Sequence, residues 1–278
     1  MLVLLLISIY ATEFLKEIPD ARGISLAFSD ISENNLNFSS INPSSLPDFV
    51  SVNFGTKDFA LLAKYYLFGF SLPIKKLKTG ILWIRAQVDE VPLYPELPEG
   101  DTIPKNKQGE FSNVEEALLL PFKISNFPFA FQFKLISKRF KDLKGKGIGF
   151  DLGFKRDFNF KYFKTYIGLS LLDISETKIS YNKNGIDKER VKIISFTTFK
   201  KKFKPLTLST SFKFRYDVEL TYSAGLEIKI KEIFSILSGF EQEPRFGAGL
   251  NFENFSLFYS LRLHELGIIQ AVSLSIKK

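Results

Sequence analysis

Apolar and polar residues alternate with period two over much of this chain, and helical periodicity is scarce after its first residues. The longest run extends from Leu206 to Lys231. Its even positions include Leu206, Leu208, Phe212, Phe214, Tyr216, Leu220, Tyr222, Leu226 and Ile230. Its odd positions include Ser209, Ser211, Lys213, Arg215, Glu219, Glu227 and Lys229. A single globular strand is not that long, so the run predicts two strands joined by a tight turn near Tyr216–Val218. Membrane strands need about 9–11 residues each, which this hairpin supplies. The pattern recurs over Phe129–Leu135, Ile148–Phe154, Leu257–Leu263 and Val272–Ile276, with Phe258 interrupting one polar face. One face of each strand is apolar and aromatic; the other carries Ser, Thr, Gly and charge. A barrel interior has no room for so many rings, whereas a lipid-facing band accommodates them, so the apolar face is expected to point outward.

The alternation divides into fourteen strands near 49–54, 58–72, 79–91, 112–123, 128–140, 146–156, 164–176, 190–199, 206–215, 218–231, 233–239, 245–252, 255–264 and 270–277. An even number brings both barrel ends to the same side, as a single-chain bacterial barrel requires. The links then sort by length. The long ones, 91–111 with its four prolines and 181–190 with Asn184-Gly185, fall on one side, and short ones such as 74–78, 125–127 and 231–233 on the other. Gly55–Lys57 reads as a short link on the long-loop side. The fold class predicted is all-β, a transmembrane antiparallel β-barrel of about fourteen strands with a short N-terminal plug segment.

Three regions follow: residues 1–11 as a signal peptide, 12–48 as the plug segment and 49–278 as the barrel. The run Leu2–Tyr10 is too short to cross a bilayer as a helix and fits the apolar core of a secretory signal, with Ala11 at the cleavage position. Residues 20–48 do not alternate; they are rich in Ser, Asn and Asp and too few for a domain of their own.

Composition sharpens this picture. Thirty-one Phe residues exceed what a soluble core of this size needs and fit one lipid-facing side of many strands. No cysteine and one histidine exclude a thiol nucleophile, a disulfide scaffold and a Cys-based zinc site, and make a metal role for His264 unexpected. No catalytic residue, metal site or cofactor is expected. The net charge of +8 lies largely in turns and on the polar faces, and Lys200-Lys201-Lys202 reads as a charged turn flanked by Phe199 and Phe203 rather than a nucleic-acid patch. Gly145-Lys146-Gly147-Ile148-Gly149 lacks phosphate-loop spacing; its glycines are expected on the inward face, leaving room for the plug. Asp89-Glu90 and Glu115-Glu116 are adjacent, so on strands their carboxylates face opposite ways and cannot pair as acid and base. Lys213, Arg215, Glu219, Glu227 and Lys229 share the lumen-facing side of the long hairpin. Such charges need water or partners, and Arg22, Asp30 and Glu33 are candidates.

The chain resembles the FadL-type outer-membrane barrels and their PorV/PorQ relatives. Arg22-Gly23, Asp30 and Asn42-Pro43-Ser44-Ser45-Leu46 are similar to that family's N-terminal signature. The stretches 146–154, 166–170, 223–227 and 246–250 are similar, in order, to its glycine-rich strands. The chain differs in ending Ile276-Lys277-Lys278, where members close on an aromatic residue. The resemblance implies a monomeric barrel in the cell outer membrane that passes or presents a hydrophobic or amphipathic small molecule. It places Arg22, Gly23, Asp30, Glu33, Asn42 and Pro43 in a plug that closes the lumen. The partners implied are membrane lipids and the small molecule, with no enzyme activity. The alternative, from PorV-like members, is an attachment or shuttle factor with secretion-system proteins as partners. A third reading, a soluble periplasmic lipid-binding β-protein, predicts recovery without detergent.

Overall fold

A computed structural model of the chain describes residues 14–15, 18–59, 63–93, 109–182, 185–217 and 219–278. The expected signal peptide over 1–11 and most of the proline-rich link lie outside the described residues.

The barrel strands are β1 (Ser51–Phe59), β2 (Ala63–Ile74), β3 (Leu77–Leu93), β4 (Gly109–Ile124), β5 (Phe129–Phe140), β6 (Leu143–Asn159), β7 (Lys164–Leu172), β10 (Lys192–Phe203), β11 (Leu206–Tyr216), β12 (Leu220–Ile230), β13 (Phe234–Glu241), β14 (Glu243–Asn251), β15 (Phe255–His264) and β16 (Gly267–Lys277). Two short strands, β8 (Lys178–Tyr181) and β9 (Ile186–Lys188), lie between β7 and β10. Every barrel strand pairs antiparallel with its neighbours, and β1 pairs with both β2 and β16, so the sheet of fourteen closes on itself. Closure leaves no open edge, and every ladder hydrogen bond is internal to the wall, as lipid requires. Both barrel ends lie on one side, here the terminal end. The turns there are short, whereas the link between β3 and β4 is at the opposite, loop end.

The direction of the alternation is settled by burial. On β11 and β12, Leu208, Phe212, Phe214, Tyr216, Leu220 and Tyr222 are exposed, while Thr207, Ser209, Ser211, Lys213, Ser223, Glu227 and Lys229 are buried. The aromatic face therefore points out. Rings cluster at the terminal end, where Phe160 stacks on Phe163 at 5.0 Å and Phe252 on Phe255 at 4.6 Å, as in an interfacial girdle. Phe133 sits within the exposed apolar face of β5. Phe133→Arg should cost about 2–4 kcal/mol of folding free energy in a bilayer. Urea titration of the barrel in lipid vesicles measures this, and an unchanged midpoint would contradict an outward lipid face.

Inside the ring lies the N-terminal segment, residues 18–49. It contains a short helix, α1 (Ala21–Ser25), and two 3₁₀ turns, Asn37–Ser40 and Pro43–Ser45. Asp20 caps α1 by accepting from the Gly23 N–H at 3.0 Å. Asn42 caps the last turn through Ser44, with Pro43 in the first position, where its missing N–H has no helical role. The apolar core is formed between this segment and the inward wall: Ile24, Leu26, Ile31, Phe38 and Leu46 join Leu82, Leu119, Phe196, Leu237 and Phe258. Phe258, which breaks the polar face of β15, turns inward to this core, and Gly249 leaves room for its ring.

Local expectations change in four places. Gly55–Lys57 is not a turn but lies within β1; Gly55 is there because a Cβ would strike the Pro19 carbonyl. Strand seven breaks after Leu172. Leu171 pairs with Leu152 and Lys178 with Ile148, so the chain advances seven residues where β6 advances four. The link at 181–190 includes a short hairpin, with β8 and β9 paired. Lys200, Lys201 and Lys202 belong to β10, and the turn is at Lys204-Pro205.

Candidate functional site

The charged residues singled out in the sequence separate into two groups. In the first, Arg22 on α1 reaches Glu227 on β12 at 2.6 Å and also pairs with Asp30; its Nε lies 3.7 Å from Glu33. Glu33 in turn pairs with Lys229 and lies 3.7 Å from Lys200 on β10. Three cations and three carboxylates thus tie the N-terminal segment to β10 and β12. Burial raises the Asp30 and Glu33 carboxyls, but the neighbouring cations outweigh it. Arg22 brings Asp30 below its ordinary value, and Arg22, Lys229 and Lys200 hold Glu33 well below the usual range. Asp20 goes the other way: its burial exceeds the hydrogen bonds from Asn37 and Gly23.

The second group lies nearer the loop end. Lys213 bonds Glu241 at 2.8 Å and donates to the Ala27 carbonyl at 2.9 Å, and Glu241 also takes Arg245 at 2.9 Å. Arg215 pairs with Asp217 at 3.1 Å, and Glu219 is exposed in the turn between β11 and β12. These residues border a cavity of about 470 Å³ whose lining includes turn residues of the loop end. Its apolar lining comes from Leu15, from Phe28 and Ile41 of the N-terminal segment, and from Leu172 and Ile194 of the wall. Six cations, Lys134, Lys192, Lys213, Arg215, Arg245 and Arg262, face four carboxylates, Asp173, Asp217, Glu219 and Glu241. The space is therefore amphipathic with a cationic excess.

Asn42 and Pro43 sit against β6 and β7. Asn42 donates to the Phe154 carbonyl at 3.1 Å, and a Cβ on Gly153 would lie 2.8 Å from the Pro43 ring. Gly23 has room for no side chain, because Phe28 and the Asp20 carboxylate crowd it. The glycines at 145, 147 and 149 do face inward, yet the space they leave is filled by Tyr181, Ile179, Thr177 and Lys134 rather than by the N-terminal segment.

Sequence reasoning missed a buried network at the break in strand seven. Lys134 bridges Asp151 at 2.8 Å and Asp173, which also accepts from Thr177 at 2.6 Å and lies 3.8 Å from Lys192. The available signal was the loss of alternation at Asp173-Ile174-Ser175-Glu176-Thr177, where Asp173 and Glu176 adopt positive φ. Lys200, which the sequence pattern assigns to a turn, joins the first group from within β10. Glu115 and Glu116 face opposite sides, pairing with Lys138 inside and Arg85 outside.

No protein-family model matches the chain, and no curated protein matches its sequence. Among solved structures, the chain is similar to the P. putida toluene transporter TodX, with a TM-score of 0.61 and 6% identity over 93% of this chain and 98% of that one. It is similar also to the TodX deltaS2S3 mutant, a monoaromatic hydrocarbon channel, with a TM-score of 0.54 and 9% identity over the same shares. The likeness is one of fold. This chain is a closed fourteen-strand antiparallel barrel of the kind found in these channels.

Proposed function

We propose that the chain is an outer-membrane barrel that passes or presents hydrophobic or amphipathic small molecules, and that residues 18–49 act as a plug closing its lumen. The observation that carries this reading is the amphipathic cavity. The N-terminal segment supplies part of its apolar lining, and cations surround it towards the loop end. An apolar ligand with a polar or anionic end matches such a lining. The fold shared with a toluene transporter supports the same class of cargo, and the outward aromatic face supports residence in a membrane. Nothing in the geometry favours the secretion-partner alternative over passage.

Liposomes loaded with the full chain or with a variant lacking residues 18–49 test this directly. The full chain should admit a fluorescent long-chain carboxylate while carrying little ion current, and the deletion variant should conduct ions. Equal, small currents from both would overturn the closing role of the segment. Failure of both to admit the carboxylate would overturn passage.

A further inference from the structure

We infer that the outer wall of β3–β6 and β8 holds a docking site for the phosphate headgroup of a membrane lipid, separate from the lumen. The strand register places exposed side chains in rows across this wall. Trp83, Leu118, Leu135 and Ile148 form one outward row, which continues to Lys178 on β8 and Lys188 on β9. The next row towards the loop end holds the Arg85–Glu116 pair, then Ser137, Lys146 and Ser180, and the row after it holds Arg139 and Lys144. Five of these cations, Arg139, Lys144, Lys146, Lys178 and Lys188, are exposed.

Two of the cross-strand pairs bring like charges directly opposite each other: Arg139 with Lys144, and Lys178 with Lys188. Such pairs destabilise a sheet unless an anion lies between them. Lys146 lies diagonal to Lys178 on the same face, where one phosphate could meet both. Among the described residues none of the five has a carboxylate partner. The nearby Arg85 differs, because Glu116 neutralises it at 3.4 Å.

Two other sectors of the described wall differ. On β11–β12 and β15–β16 the outward pairs nearest the loop end are Tyr216 with Leu220 and Leu263 with Ile268, all apolar. A groove of about 750 Å³ runs along the patch, lined by Trp83, Leu118, Leu135 and Ile148 with Lys146 and Lys178; the one carboxylate in its lining, Glu116, is held by Arg85. Hydrocarbon beside unpaired cations is complementary to an acyl chain beside a phosphate. The site rests on the reading of this wall as membrane-embedded, but it is independent of what the lumen carries.

The test is native mass spectrometry of the full chain in dodecyl maltoside, titrated with dioleoyl phosphatidic acid or dioleoyl phosphatidylcholine. Phosphatidic acid should bind at least tenfold more tightly. Each near-surface lysine contributes about fivefold, so Lys146→Gln/Lys178→Gln should weaken binding roughly 30-fold. Lys75→Gln/Lys76→Gln, at a terminal-end turn, should leave it unchanged. Equal binding of the two lipids by the unaltered chain overturns the site without reference to any variant, as does an unchanged affinity in a Lys146/Lys178 variant. Full competition by inorganic phosphate would mean a free-anion site instead. A dimer of the unaltered chain that disappears in the variant would give the face to a second copy. The deletion experiment on the lumen reads ion current, so a failure there and a failure here are distinguishable.

Discussion

Replacing Arg22 with Met should free the N-terminal segment from the barrel while leaving the strands closed. Arg22 is buried and is the shared partner of Asp30 and Glu227, with Glu33 close by. Removing it takes the cation from Asp30 and leaves Glu227 with the more distant Lys229 at 3.8 Å. Breaking a buried ion pair from one side costs about 3–5 kcal/mol, because the remaining charge stays desolvated. Departure of the segment relieves that cost by opening Glu227 of β12 to water, and the ladder bonds, which run from strand to strand around the ring, stay intact. Thermolysin should therefore cut within residues 18–49 of the variant and spare the unaltered chain. The heat-modifiable migration of the barrel on gels should persist. Adding Glu227→Gln should recover part of the protection, since it removes one of the stranded carboxylates. A variant as resistant as the unaltered chain would show that the ion network does not hold the segment.

The barrel is legible in the sequence for a physical reason. A wall with lipid outside and protein or water inside forces opposite chemistries onto successive residues, and Leu206–Lys231 records that rule over two whole strands. Strand ends are less legible because glycine has two uses. Gly55 looks like a turn, yet it stands mid-strand beside the Pro19 carbonyl. The glycines at 145–149 look like space for the N-terminal segment, yet they accommodate side chains of β8 and the break before it. Both errors come from contacts distant in sequence, which alternation does not encode. The charges show the same division. That Lys213, Glu227 and Lys229 face inward follows from their phase, but their partners do not. Glu227 meets Arg22, 205 residues away, whereas Lys213 meets Glu241 and borders a different space. The Lys134–Asp151–Asp173 network was hidden because it depends on a break in pairing, and a broken alternation reads as a loop until the register is known.

Filling the space beside α1 should displace the segment by sterics alone, with the ion network left intact. A Cβ on Gly239 of β13 would lie 2.5 Å from the Ser25 carbonyl and 2.8 Å from the Ala27 nitrogen, both backbone atoms that cannot rotate aside. Gly55 of β1 meets the Pro19 carbonyl in the same way. Overpacking a filled interior costs about 1–3 kcal/mol per site, so Gly55→Val/Gly239→Val should approach the effect of Arg22→Met. The strands themselves should respond with the opposite sign. Valine suits a pleated wall, and glycine inside a strand is a weakness of about 0.5–1 kcal/mol. The double variant should thus show faster thermolysin cleavage within 18–49 and a larger ion current, without a lower unfolding midpoint for the barrel. Gly109→Val is the control, since nothing lies within 4 Å of its Cβ position, and it should alter neither cleavage nor current. If the double variant stays sealed and resistant, the segment has room to shift within the lumen, and the close approach at Gly239 is not what fixes its place.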